Sequence, residues 1–258
     1  MKNKTAKQIV AAYRARIALL VIAYMVAVAA LIFATTYSWV LGLGGIVVLG
    51  MSLRIPMEKI KAITIESVIF EDLDPEKFKE VTSLGPLKNS LRHQVLCEVS
   101  LGNHEKALEL IETAVSPKKV NPVELCNALY RRGYIHFENG EFDKLPAIVK
   151  EYEALKTKYP QFAPAFNNFT VFDKFDAFAD EDYEYVVDVC DIDIKVINPQ
   201  AQNHKLTRIN VGFYRAVSLY KLGEMEKARE AFEGIIEFAP KMYKAKLAKD
   251  YIDLIDKA

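Results

Sequence analysis

The sequence predicts an all-α protein: an N-terminal transmembrane helical hairpin followed by an α-solenoid of antiparallel helix pairs, about four to five of them. Three observations carry that reading. From Ile17 to Leu53 the chain runs thirty-seven residues without an Asp, Glu, Lys, Arg or His. Past Pro56, apolar residues recur three and four apart, the period of an amphipathic helix. That pattern is broken every forty residues or so by a Gly or an acidic turn, and strand-like alternation is scarce.

Residues 1–16 form a basic cytoplasmic N-terminus, with Lys2, Lys4, Lys7, Arg14 and Arg16 and no acid. Residues 17–53 follow as the hairpin. A spanning helix needs about 20 mostly apolar residues, so 17–34 makes one span and 37–53 a shorter second, joined by the small polar patch from Thr35 to Ser38. Burying so much apolar helix as ordinary core would demand a large soluble shell, and the rest of the chain already needs its own core. A cleaved signal peptide fits badly: the apolar run is long, no clear Ala-x-Ala site follows, and a second apolar segment starts a few residues later.

Arg54, Lys59 and Lys61 follow the second span, while the loop between the spans is uncharged. Basic residues near a span stay cytoplasmic, so both termini and everything from Arg54 onward are expected inside, with Tyr37 and Trp39 at the outer interface. Ala23, Ala27, Ala30 and Ala34 in the first span, and Gly42, Gly44 and Gly45 in the second, suit a tight hairpin or lateral association with another membrane protein. No charge lies inside either span, which argues against an ion or proton pathway.

The net charge of zero conceals an asymmetry. All 34 acids lie at or after Glu58, and five of the 34 bases precede the first span, leaving 29 bases against 34 acids in the rest, a balance of −5. Nucleic-acid binding through phosphate neutralisation requires a basic face, so that class is excluded. The basic N-terminus suits anionic lipid headgroups at about 1 kcal/mol per residue near the surface, or serves only as a topology signal.

Cys97, Cys126 and Cys190 are widely spaced, odd in number and without a Cys-x-x-Cys pair, as expected of buried thiols in a reducing compartment. His93, His104, His136 and His204 show no metal-ligand spacing, and no cofactor is expected. The densest acidic run, from Asp180 through Glu184, Asp188 and Asp191 to Asp193, lacks the glycine and terminal glutamate of a calcium loop and follows helical spacing, which reads as a solvated helix face. Phosphate loops, dinucleotide fingerprints and nucleophile elbows are absent, so no enzyme is expected.

The cytosolic region divides into residues 54–87, connecting helices or a degenerate first helix pair, and residues 88–258, the repeats. Leu219, Gly223, Ala228 and Phe232, closing at Pro240, resemble the tetratricopeptide repeat. Leu101, Gly102 and Ala107 align on them, as do Gly133, Phe137, Gly140 and Leu145, with the large Leu145 in the small-residue position. Gly102, Gly140 and Gly223 end the first helix of each pair, where a residue tolerating positive φ is favoured. Ala107, Ala228 and Gly133 let helices approach, and Pro240 stops the second helix. A poorer pair can be placed with its turn at Asp180, giving turn spacings of 38, 40 and 43 residues. A weaker one lies upstream, where Leu73 to Phe78 resembles a turn and second-helix start.

An Asn stands thirteen residues before each turn: Asn89, Asn127, Asn167 and Asn210. Such amides either satisfy free backbone donors or bind a ligand's peptide backbone. The resemblance implies an inner groove carrying them together with Arg92, Leu96 and Val99, then Tyr130, Tyr134 and Phe137, then Phe213, Val217 and Tyr220. Aromatic and Arg side chains are the usual binding hot spots. The expected function is a membrane-anchored helical-repeat adaptor that captures a protein or peptide segment at the cytoplasmic face. The alternative is an accessory subunit of a larger membrane complex, docked through its hairpin.

Overall fold

The computed structural model describes residues 3–115, 121–167 and 169–257, which are helical with no strand. The chain divides into two compact units, residues 1–88 and 89–258.

The first unit is organised by α1, Ala6–Ala34. Its start is a capping box: the Thr5 hydroxyl accepts from Gln8 N–H at 3.3 Å, and the Gln8 carbonyl oxygen Oε1 accepts from Thr5 N–H at 2.9 Å. From Lys7 through Arg16 the basic N-terminal stretch is therefore the opening of the same helix. Its first turns bury Ala6, Ile9 and Val10 as α1 packs on α5 (Pro75–Leu84). The far end frays through Thr35 and Thr36, whose hydroxyls donate back to the carbonyls of Ile32 and Phe33.

The second arm, α2 (Trp39–Ser52), lies along α1. A methyl group on Gly42 would collide with Thr35 and come within 3.0 Å of the Leu31 carbonyl, and one on Gly45 would come within 2.7 Å of the Leu31 side chain. Those two glycines set the approach, whereas Gly44 has open space around it. At the other end the Tyr24 and Ser52 hydroxyls are hydrogen-bonded at 3.2 Å. Among the described residues α1 is the one helix long and apolar enough to cross a membrane. With 14 residues, α2 reaches about 21 Å, short of the roughly 30 Å hydrocarbon layer. Of the two expected spans, then, one has spanning length. The second ends at Ser52, whose carbonyl the Pro56 ring four residues on would meet.

After this break α3 (Arg54–Lys61) leads into a π-helical turn, Ala62–Glu66, and the short α4 (Ser67–Phe70). Arg16 donates to the Thr64 hydroxyl at 2.9 Å, tying that wide turn to α1. Leu73 adopts φ 51°, and Asp74 caps α5 by accepting from Lys77 N–H at 3.1 Å.

The second unit is a succession of helical hairpins. The first joins α6 (Leu91–Leu101) to α7 (His104–Val115); the next joins α8 (Pro122–Glu138) to α9 (Leu145–Lys158). A split element, α10 (Ala163–Phe166) and α11 (Val171–Ala179), precedes α12 (Tyr183–Val196). Then α13 (His204–Lys221) pairs with α14 (Met225–Phe238), and α15 (Tyr243–Ile255) follows. Each helix packs on the next, α9 meeting α11 across the split, and α15 also reaches α6.

Gly102, Gly140 and Gly223 all take φ above +70°, and in each turn the following N–H bonds to the carbonyl five residues back, as Asn103 does to Glu98. In the third pair this geometry falls on Glu181, φ 59°, with Asp182 N–H bonded to Ala177 at 2.8 Å. The turn expected at Asp180 is thus one residue later. On that register the residue thirteen positions before the turn is Asn168, which lies outside the described residues, and not Asn167. Ala107 and Ala228 are fully buried, and a methyl on Gly133 would press within 2.5 Å of the Phe175 ring.

Candidate functional site

The inner-groove residues named from the sequence separate into two groups. Arg92 and Asn127 line a cavity of about 360 Å³ between α6, α7 and α8, with Leu91, Val95, Ile111 and Arg131. Asn127 and Arg131 are four apart on α8 and share a face. Arg131 donates to the Arg92 carbonyl at 3.4 Å. Burial, and then the Arg92 guanidinium beside it, hold Arg131 below its ordinary range. The cavity thus brings together two guanidinium groups, the Glu124 carboxyl, an amide and an apolar floor, with one positive charge in excess. That combination suits an oxygen-rich, negatively charged segment. Sequence reading missed Arg131, although its spacing from Asn127 was the available signal.

The aromatic group is interior. Tyr134 is 5 % exposed, Phe137 1 % and Phe213 2 %. Phe137 packs edge-on against Phe178 at 4.7 Å and Tyr214 at 4.5 Å. Tyr134 donates to Asn210 Oδ1 at 2.6 Å, so this amide joins α13 to α8. Asn127 donates to the Val123 carbonyl at 3.0 Å within its own helix. Asn89 sits exposed in the turn before α6, and Asn167 is exposed where α10 ends. The four amides of the expected series therefore occupy four different environments. Tyr130 is half-buried between Tyr134 and Phe169, and burial raises its hydroxyl above the ordinary tyrosine range. Tyr220 is half-buried against Tyr251 of α15 at 5.2 Å. Leu96 and Val99 are half-buried and Val217 is fully buried.

Beside Tyr134 lies a charged cluster that no sequence pattern had marked. Glu138 on α8 is fully enclosed; its Oε2 meets His104 Nε2 at 2.9 Å, and its Oε1 accepts from Lys244 of α15. His104 Nδ1 faces Asn139 Oδ1. Burial acts to lower the His104 imidazole, but the hydrogen bond and charge of Glu138 together with Asn139 outweigh it and leave it raised. Burial pushes the Glu138 carboxyl up and draws the Lys244 ammonium well down. The Lys244 nitrogen stands 4.1 Å from the centre of the Tyr134 ring.

Cys97, Cys126 and Cys190 are buried, and burial pushes the Cys126 and Cys190 thiols up to about 12. Two acids of the α12 run are paired rather than simply solvated: Asp191 with Arg215 at 2.5 Å, and Asp193 with the buried Lys174 at 2.7 Å.

Helix α13, its left-handed Gly223, α14 with Ala228 and Phe232 buried, and the stop at Pro240 compose one packed repeat. A family model described as tetratricopeptide repeat matches residues 211–241. That match, together with the helical hairpins around it, supports a tetratricopeptide-like helical-repeat architecture. No curated protein and no solved structure matches it. Repeats of this type are typically non-catalytic interaction modules that bind protein or peptide partners.

Proposed function

We propose that this protein is a membrane-anchored adaptor whose repeats capture a protein segment at the cytoplasmic face. The observation that carries the reading is the cavity between α6, α7 and α8. There Arg92, Asn127 and Arg131 stand over an apolar floor of Leu91, Val95 and Ile111, a mixture that orients a peptide while burying its side chains. The partner segment is acidic, because two guanidinium groups against the single carboxyl of Glu124 leave the opening positive. The hairpin of α1 and α2 inserts in the membrane with both ends inside and the exposed Tyr37 and Trp39 at the outer boundary, and the basic start of α1 meets anionic headgroups.

The test is photo-crosslinking in the native cell with a label at Asn127 and a control label at Glu184. A discrete adduct at Asn127 alone supports the reading and gives the partner's identity by mass spectrometry. Equal labelling at both positions would end it.

One observation favours a second reading, an accessory subunit docked through its hairpin. Gly44 and Gly50 of α2 have nothing within 4 Å, unlike Gly42 and Gly45, which α1 uses. Co-purification of a truncation starting at Arg54 separates the two: an adaptor keeps its partner and a hairpin-docked subunit loses it.

A further inference from the structure

We infer that α3 carries the second arm of the hairpin through the inner leaflet, and that Arg54, held inside that leaflet, reaches back to the phosphate of a phospholipid. The inference rests on the membrane-anchored reading and deepens it by naming what the segment after α2 touches. Two side-chain ties between the arms set the depth. The Tyr24 and Ser52 hydroxyls are hydrogen-bonded at 3.2 Å, and Arg16 donates to the Thr64 hydroxyl at 2.9 Å. Ser52 ends α2 and so lies level with Tyr24, seven residues beyond Ile17, where the charge-free run of α1 begins. That places Ser52 about 10 Å inside the apolar zone. With α1 crossing the bilayer, the chain at Ser52 has yet to leave it, and α3 leads back to the level of Arg16.

The backbone makes this path continuous. Leu53 has helical φ −60° and ψ −32°; its N–H bonds to the Gly50 carbonyl at 3.4 Å, and its own carbonyl accepts from Met57 N–H at 3.3 Å. Helices α2 and α3 are thus two pieces of one helix kinked at Pro56. From Trp39 to Lys61 they rise about 34 Å, enough for the roughly 30 Å hydrocarbon layer that α2 alone does not reach. The outward side of the joint is apolar. Met51 at the end of α2 and Ile55 at the start of α3 stand four residues apart, on one face, and are 77 % and 73 % exposed. Acyl chains are the cover that continues from α2 onto α3.

The charges of this stretch are sorted in a way that fits. Lys61 pairs with Glu58 and stands 3.6 Å from Glu66. Arg54 is exposed and forms no ion pair among the described residues. An unpaired guanidinium at this depth is costly unless it finds an anion. Two residues beyond Ser52, Arg54 lies about 7 Å inside the level of Ile17, and a long arginine stem extends over such a gap to bring its head to the interface. Its forked donors match phosphate oxygens. The second arm therefore carries a cation inside the bilayer, where sequence spacing had put Arg54 on the cytoplasmic side.

The test uses the full chain reconstituted in phosphatidylcholine vesicles, with an environment-sensitive fluorophore on a cysteine introduced at Ile55, at Leu19 of α1 or at Glu80 of α5. The unsubstituted chain is the blank. Phospholipids with a spin-label quencher on the acyl chain should quench the Ile55 probe at least twofold, as they do the Leu19 probe, and leave the Glu80 probe unaffected. Quenching at Leu19 with an Ile55 probe as unaffected as Glu80 overturns the inference and leaves the membrane anchor standing, whereas no quenching at Leu19 overturns both. Arg54→Leu tests the phosphate contact. With the tether lost, the strongest quenching of the Ile55 probe should move from a quencher near the headgroup to one at mid-chain, and Arg54→Lys should keep the original depth. A depth indifferent to Arg54→Leu overturns the phosphate contact. Because the first comparison keeps Arg54, it decides the placement of α3 even if Arg54→Leu fails to insert.

Discussion

Lys244 of α15 and Glu138 of α8, separated by 106 residues of chain, form an ion pair that is buried at both ends. Removing one partner of such a pair strands the other without solvent, whereas removing both restores balance. Glu138→Gln and Lys244→Met are each expected to destabilise the second unit by about 3–5 kcal/mol, and the double variant by clearly less than their sum. Denaturant titration of the four proteins measures the coupling; additive losses would show that the two residues act independently.

Gly102 carries two demands where its counterparts carry one. Its φ of 78° excludes most side chains, as in Gly140 and Gly223, but Tyr243 also fills the space beside it. Gly140→Ala and Gly223→Ala are expected to cost about 1 kcal/mol each from backbone strain. Gly102→Ala should cost measurably more, read as a lower denaturant midpoint at unchanged slope.

The Glu141 carboxyl is held down to about 2 by hydrogen bonds from Lys144 and then from His136. Because its folded value lies below its unfolded one, its contribution is present above about pH 4.5 and is lost as the pH falls toward 2. Its side chain is a third exposed, so solvent screening keeps the effect small. Glu141→Gln should flatten the acid limb of a stability–pH curve between those values, lowering stability at pH 7 to 8 by the same small amount and leaving it unchanged near pH 2.

Arg92→Ala and Arg131→Ala remove the positive charge of the cavity without touching the aromatic interior. Each should weaken capture of the acidic partner roughly tenfold, the size of one charge-assisted contact, with the helical circular dichroism spectrum retained. Partner recovery at two salt concentrations gives an independent check, since screening should weaken the unaltered protein more than either variant.

Gly42→Leu in α2 should separate the arms of the hairpin, because Thr35 and the Leu31 carbonyl already occupy that space, whereas Gly44→Leu meets nothing. Cysteines introduced at Tyr24 and Ser52, whose hydroxyls are hydrogen-bonded, report the separation. Disulfide formation should survive Gly44→Leu and fall with Gly42→Leu.

Much of the helical architecture is local chemistry and so is legible residue by residue. The charge-free run, the turn glycines, Asp74 before α5 and the prolines at element boundaries each act within one turn of their own position. Glu181 shows where such reading slips by one: an acidic run offers several residues able to enter the left-handed region, and only the bonding of Asp182 to Ala177 selects among them. The second arm, expected over residues 37–53, runs Trp39–Ser52, losing two residues to the polar turn at its start and one at its end.

The expected groove depended on more than periodicity. Helical spacing places Tyr134, Phe137 and Phe213 on an inward face but cannot say what else arrives there, and Asn127 and Asn210 share a sequence offset yet bond to different partners.

The sequence by itself determined the helices, their turns and an apolar first arm, because those follow from backbone preference and from hydrophobic patterning over a few residues. Only the tertiary structure decided that α15 covers the aromatic face, that Glu138 takes its cation from the last helix, and that Arg92 and Arg131 share one opening. Those outcomes depend on contacts between residues far apart in the chain, and burial assigns each of them an energy that no local pattern contains.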